Sequence, residues 1–213
     1  MAGNTLDTVR TGALNVELGL TSDSDDRFGT TAQRNYALTE AYRRLWPRMA
    51  QLDTAAVTIV TDQTAYTLSA LQEVLYLELR DADGIFITRL NNFRVRIEDD
   101  TTYTLLIPEP MSTTLLLTAV GYAPYTIPAS GSGTSTLPAD KEWIVVQGAR
   151  ALLYRRQLNQ FAVFERHANE NRRTTMQASE MMSMAREAEA MFRDGIRENG
   201  RRMAVGRRAT TVR

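Results

Sequence analysis

No cysteine occurs anywhere in the 213 residues, which removes disulfide frameworks and thiolate metal sites from consideration. Histidine is almost as scarce. His167 is the only one, so a Ser-His or Cys-His nucleophile system has a single residue on which to pivot. It lies in the polar stretch FERHANEN, which suits an exposed side chain better than a general base. The phosphate loop G-x-x-x-x-G-K-[ST], the zinc motif H-E-x-x-H and the dinucleotide fingerprint G-x-G-x-x-G are all missing. No run approaches the roughly 18 uninterrupted apolar residues of a membrane span. The start, MAGNTLDTVRTGALNVELGL, has no basic residue followed by an apolar run, so no secretory signal is expected. The absences lead to a non-enzymatic chain with no catalytic residue, no cofactor, no metal and no membrane partner. Such a chain is expected to be made and kept inside a cell, or carried in a particle assembled there.

The acids that are present do not rescue a metal site. Asp23, Asp25 and Asp26 in TSDSDDRFG invite a calcium loop, which needs oxygen ligands at positions 1, 3 and 5, glycine at 6 and glutamate at 12. Counted from Asp23, those last three positions hold Arg27, Phe28 and Arg34. The pairs Asp25/Asp26 and Asp99/Asp100 sit in turn-like sequence, where acids hydrogen-bond locally.

Charge is balanced overall but not along the chain. Residues 1 to 140 carry ten arginines and seventeen acids, net −7, and residues 141 to 213 carry Lys141, fourteen arginines and eight acids, net +7. Such a split fits two ends that meet different partners, or one end that meets the opposite end of a neighbouring copy.

Along the chain, residues 1–29 read as an extended arm, too poor in apolar residues near TSDSDDRFG to pack alone. From Thr30 or Thr31 to about Leu52 the spacing of Leu38, Ala41, Leu45, Met49 and Leu52 predicts an amphipathic helix, kinked near Trp46 by Pro47. Residues 55–127 change to short runs rich in β-branched and aromatic residues, such as EVLYLELR and FRVRI. About six strands are expected there, with Asp83-Gly84 as a type I′ hairpin turn. PASGSGTSTLP, 128–138, reads as a flexible linker, and Asp140 as the N-cap of the next helix. The expected fold is α+β. A bundle of long helices, from 30–54 and 139–200, carries an inserted small antiparallel β-sandwich or barrel at 55–127, and a basic tail follows at 201–213.

The helix that opens with LPADKEWIVVQGARALLYRRQL is apolar nearly all round. At 100° per residue, Trp143, Tyr154, Leu158 and Phe161 share one side, while Val145, Leu152 and Val163 point almost opposite. Between 143 and 164, fourteen of twenty-two residues are apolar, although a surface helix needs only one apolar stripe. Either the chain's own core surrounds this helix, or the helix packs between its own domain and a neighbouring subunit. Only 30–52 and 174–199 offer other helices, so the second arrangement is expected, with Trp143, Val145, Leu152, Tyr154 and Phe161 at a subunit interface. Met181, Ala185, Ala188 and Phe192 form the seam by which the last helix packs on this one.

The ending NGRRMAVGRRATTVR holds five arginines and no acid. It lacks the aromatic platforms of single-strand binders and any groove-reading motif. A nucleic-acid contact, a mobile tail, and a tail that orders on an acidic protein surface all fit, and the last is the expectation adopted.

The order of acidic arm, helix TAQRNYALTEAYRRLWPRMAQL, β insertion, LPADKEWIVVQGARALLYRRQL and basic helical end resembles the head-to-tail adaptor, or connector, proteins of tailed bacteriophages. The added β module is similar to that of short-tailed phage adaptors. The resemblance implies a structural virion protein at the head–tail interface, assembled in the host cytoplasm. It implies a homo-oligomeric ring, commonly of twelve copies, beneath the portal protein. The next neck or tail protein would lie on the β-module side, and DNA would pass through the lumen without being read. It also implies portal docking by the tail, through Arg201, Arg202, Arg207, Arg208 and Arg213. A stopper or tail-completion protein is the alternative, and a basic-tailed nucleic-acid-binding protein a distant one.

Overall fold

The computed structural model describes residues 3–68, 71–97, 103–128, 133–165 and 178–201, and of residues 97 and 161–165 the backbone alone. These fall into two units, one from residues 3–49 and 125–201, the other from 50–124.

The first unit is helical. α1 (Leu6–Val9), a π turn (Arg10–Leu14) and α2 (Asn15–Glu17) run on as one N-terminal stretch. It starts at Thr5, whose hydroxyl accepts the Thr8 N–H at 3.1 Å, as a helix N-cap does. α3 (Thr31–Arg43) begins where the Gln33 side chain reaches back to the Thr30 N–H at 3.0 Å. A 3₁₀ turn (Ala139–Lys141) leads into α4 (Glu142–Glu165), and α5 (Ala178–Asn199) lies against it.

α4 is the centre of this unit. Ile144, Val145, Val146, Ala149, Ala151, Leu153 and Tyr154 are all buried, and positions that cover the helix circumference are buried only if something lies on every side. α5 supplies one side through Ala185, Phe192 and Ile196. Gly148 and Gly195 permit the close approach: a Cβ at either would come within 2.8 Å of Phe192 or of Ile144 and Trp143. α3 supplies a second side with Ala37, Leu38 and Ala41, and the turn after it adds Leu45. The N-terminal stretch supplies a third with Leu6, Val9, Leu14 and Leu18, and Phe28 meets Tyr154 edge-on at 5.3 Å. Polar ties run along the same side. The Glu142 carboxylate accepts the backbone and side-chain N–H groups of Asn4 at 2.6 and 2.7 Å. Arg150 pairs with Glu17 at 3.1 Å, and Gln157 donates to the Arg27 carbonyl at 2.6 Å.

Several expectations are corrected. The unit is not a bundle of long helices: α4 and α5 span 24 and 22 residues, α3 only 13, and the rest of the regular structure is short helical pieces and two antiparallel sheets. The segment read as an extended arm is helical over 6–17. Its apolar residues Leu6, Val9, Leu14 and Leu18 hide this, because the wide π turn puts one extra residue between Val9 and Leu14. α3 stops at Arg43 rather than bending at Trp46 and continuing. Leu52, placed on the helix face by its spacing, lies in a strand and is 63% exposed. The segment read as a flexible linker is packed over its described part. Ser135 and Leu137 are buried, the Gly3 N–H donates to the Ser135 carbonyl at 2.9 Å, and Ser135 N–H returns a bond to Asn4. Asp140 falls within the 3₁₀ turn and is not a cap of α4.

Among the described residues the second unit has seven strands, β1 (Gln51–Val57), β2 (Ala65–Leu68), β3 (Glu73–Arg80), β4 (Phe86–Leu90), β5 (Arg94–Ile97), β6 (Tyr103–Leu106) and β7 (Leu116–Ala123). They form two antiparallel sheets, ordered β1-β7-β3-β4 and β2-β6-β5. Both sheets feed one core, with Val57, Leu77, Leu117 and Ala119 from the first and Tyr66, Leu68, Tyr103 and Leu105 from the second. The β3–β4 hairpin is closed by a longer loop than the expected two-residue turn. Gly84 N–H donates to the Asp81 carbonyl, Asp81 N–H to the Ile85 carbonyl, and only Gly84 has positive φ, +80°. That is a type I turn followed by a glycine bulge, steadied by the Asp81 carboxylate on the N–H groups of Asp83 and Ile85.

The Asp23 loop is held by two arginines and an asparagine. Arg10 grips the Asp23 carboxylate with two N–H groups, both at 2.9 Å, and Asn15 adds a third donor at 3.0 Å. Arg34, fully buried, donates to the backbone carbonyls of Asp23, Asp25 and Gly29 at 2.5, 2.7 and 2.6 Å. These hydrogen bonds, Arg10 first and then Asn15, lower the Asp23 carboxyl from its ordinary 3.8 to about 2 against a small opposing effect of burial. The folded state therefore favours the ionised form.

The packing and the loop generate three predictions. Leu153→Ala should lower unfolding free energy by about 3 kcal/mol in chemical denaturation of the isolated chain. Val145→Asp should leave no folded monomer by circular dichroism, because a charge buried there has no partner. Asp23 should stabilise the fold fully above its unfolded value near 3.8, and that contribution should fade as pH falls through about 2. Asp23→Asn should lower stability at pH 7 and flatten stability against pH across that acid range. A variant as steep as the wild type would refute the assignment.

Candidate functional site

The residues expected at a subunit interface do not share one surface. Val145 and Tyr154 are buried in the chain's own core, and Leu152 is partly buried against it. Trp143 is 40% exposed, beside Gly195. Of Phe161 only the backbone is described. α4 is thus apolar all round over its described side chains chiefly because its own chain covers it, and among those side chains Trp143 is a large apolar one left open to solvent. Further apolar exposure in this unit comes from Val16, Tyr36, Met182 and Met191.

Of the five arginines assigned to docking, Arg202, Arg207, Arg208 and Arg213 lie outside the described residues. Arg201 is engaged within its own unit. Its backbone N–H donates to the Arg48 carbonyl at 2.9 Å, its Nε–H to the Pro47 carbonyl at 2.8 Å, and its guanidinium lies 5.3 Å from the centre of the Trp46 ring. Arginine stacks on aromatic rings while donating in its own plane. Nothing in the tail's composition distinguishes this arginine from the four that follow. Only its position at the end of α5, after Gly200, sets it apart.

Glu189 was missed by sequence reasoning. It sits on α5, 5% exposed, and binds Arg44 of α3 at 2.5 Å and Arg193 at 3.1 Å, with Arg155 of α4 at 3.6 Å. Arg44 also lies over the Phe192 ring at 4.5 Å. The carboxylate therefore ties three helices together. An acid one position beyond Ala188 in the apolar seam was the available signal.

The chemistry reads similarly. Among the described residues no group of three or more His, Cys, Asp or Glu is placed to hold a metal, and no helix is long and apolar enough to cross a membrane. His167, Asp99 and Asp100 lie outside the described residues. Asp25 is held to about 2, chiefly by the Arg27 side chain, in a local pair rather than an acid–base frame. In the second unit, β4 is an edge strand with Phe86 and Ile87 each 49% exposed, Ile85 beside them, and Leu116 near the same end. A shallow depression there is lined by Glu78, Arg80, Phe86, Ile87, Thr88 and Arg89.

No family model matches the chain, and no curated protein matches it. Among solved structures it is similar to a chain from the virion of a native gene transfer agent particle. Identity is 16%, 88% of this chain and 91% of that chain are covered, and the TM-score is 0.33. It is also similar to a chain from the neck of the native gene transfer agent particle computed with C12 symmetry, at 17% identity, covering 88% of this chain and 94% of that one, with a TM-score of 0.29.

Proposed function

We propose that this chain is a structural component of a virion-type particle, and specifically its head-to-tail adaptor. Copies form a dodecameric ring beneath the portal protein, with the next neck or tail protein on the side of the β unit and DNA passing through the lumen unread. The observation that carries this reading is the pairing of two chemically opposite attachments on one self-sufficient helical core. Residues 50–124 hold four arginines and ten acids, net −6, and their edge strand β4 exposes the apolar Phe86 and Ile87. Residues 201–213 hold five arginines and no acid. A part with unlike ends suits a joint between two different neighbours. Neighbouring copies meet through what α4 and α5 leave exposed, Trp143 and Met191 among them, and the portal receives Arg202, Arg207, Arg208 and Arg213.

Electron microscopy of the chain mixed with the portal protein of the same genome tests this directly. A second ring stacked on the portal is expected. An intact portal with no added ring would favour a stopper or tail-completion role instead. Deleting residues 202–213 should leave the unfolding midpoint unchanged and abolish the added ring. Undiminished stacking by the truncated chain would remove the tail from the docking role.

A further inference from the structure

The geometry points to Arg201 as a positioning residue that fixes where and in which direction the basic segment leaves the helical unit, distinct from the arginines that do the docking. The inference deepens the adaptor reading and rests on it, since it supposes that residues 202–213 bind the portal. At least three separate contacts hold Arg201. They include the backbone bond to Arg48, the Nε bond to Pro47 and the stacking on Trp46, all on the turn that follows α3. The helix end before it is shaped for that turn. Asn199 folds its side-chain amide onto the Gly195 carbonyl at 3.0 Å, closing α5 at its last residue. Gly200 then passes so near the backbone that a Cβ there would lie 2.3 Å from the Ile196 carbonyl and 3.1 Å from that of Arg48. A residue serving only as a docking charge needs none of this. An anchor does, because it fixes the point from which the following residues start before a partner arrives, which lowers the ordering cost on binding.

An anchor and a docking charge behave differently in a double-mutant cycle. Binding of the full chain to the portal protein would be measured for the wild type, Arg201→Ala, Trp46→Leu and the pair. Ordering one side chain corresponds to roughly a two- to tenfold change in affinity. Each single variant is therefore expected to weaken docking by about that factor, with the pair no weaker than either. Additive losses, or a loss from Arg201→Ala as complete as deletion of 202–213, would put Arg201 on the portal itself and overturn the inference. Unchanged docking would overturn it as well. Arg201→Lys keeps the charge without the planar fork and is expected to behave as alanine; full rescue by lysine would reduce the residue to its charge. Should Trp46→Leu fail to fold, Gly200→Ala breaks the same anchor from the backbone side. The free chain offers an independent reading. In a Trp143→Phe background, Arg201→Ala should expose Trp46 to acrylamide quenching, and unchanged quenching would refute the anchor whatever the docking shows. A wild-type chain that never docks would instead overturn the adaptor reading and the docking role with it, leaving quenching to decide the anchor.

Discussion

Burying one helix on every side constrains everything else in the helical unit. Because α4 presents apolar residues around its whole circumference, neither α5 nor α3 alone can satisfy it, and the chain must bring a third layer from its N-terminus. The layer is too short and too interrupted to be a stable helix by itself. It is held by what it covers, through Leu6, Val9, Leu14 and Leu18 and through polar ties from Asn4, Glu17 and Arg27 to α4. Removing apolar area from water supplies the drive at roughly 25 cal/mol per Å², while the hydrogen bonds fix the register in which it happens. The glycines at 148 and 195 belong to the same constraint, since a helix can be covered closely only where side chains give way.

That constraint also marks where the sequence was legible and where it was not. The seam on α5 could be read because Met181, Ala185, Ala188 and Phe192 obey helical spacing, and all four are buried. The all-round character of α4 was equally visible, but its cause was assigned to a neighbouring subunit. The missing information was the third layer. A π turn shifts its apolar residues out of helical period, and the acidic loop that follows looks unable to pack. The loop packs because Arg34 and Arg10 satisfy it from beneath. Arg34 stands four residues before Leu38 on the apolar stripe of α3, a place where arginine is out of keeping with an exposed face, so the sequence did carry a hint. The β unit was easier to read as strands, since β propensity and alternation are local. Its pairing of β1 with β7 and of β2 with β6 across long separations has no local signal.

Arginine is where composition misleads most. The chain has one lysine and twenty-four arginines, a bias that as bare charge suggests phosphate binding. In the structure many arginines act as planar hydrogen-bonding frames. Arg34 holds three carbonyls, Arg10 holds a carboxylate and the Asn35 side chain, Arg44 bridges Glu189 and Phe192, and Arg150 joins Glu17 while lying near the Tyr154 ring. Lysine has the charge but not the fork, and could replace few of these. Positive charge without such an internal partner cannot be counted from composition. It has to be found residue by residue.

Arg201 stands at the boundary between these two uses. Before it, Arg10, Arg34, Arg44 and Arg150 are among those matched to carbonyls, carboxylates and rings of their own chain. Beyond it come four more with no acid among them. A chain that organises so much of its interior with arginine gains a simple way to separate structure from attachment. Arg201, held by the turn after α3, belongs to the first, and residues 202–213 belong, on the proposed reading, to the second. Nearest-neighbour chemistry makes that separation sharp, because a guanidinium already stacked and hydrogen-bonded has little to offer a second anion, whereas an unpaired guanidinium retains its full capacity. On the proposed reading, the β unit, net negative and with apolar side chains exposed along edge strand β4, would select a different kind of partner from the basic segment.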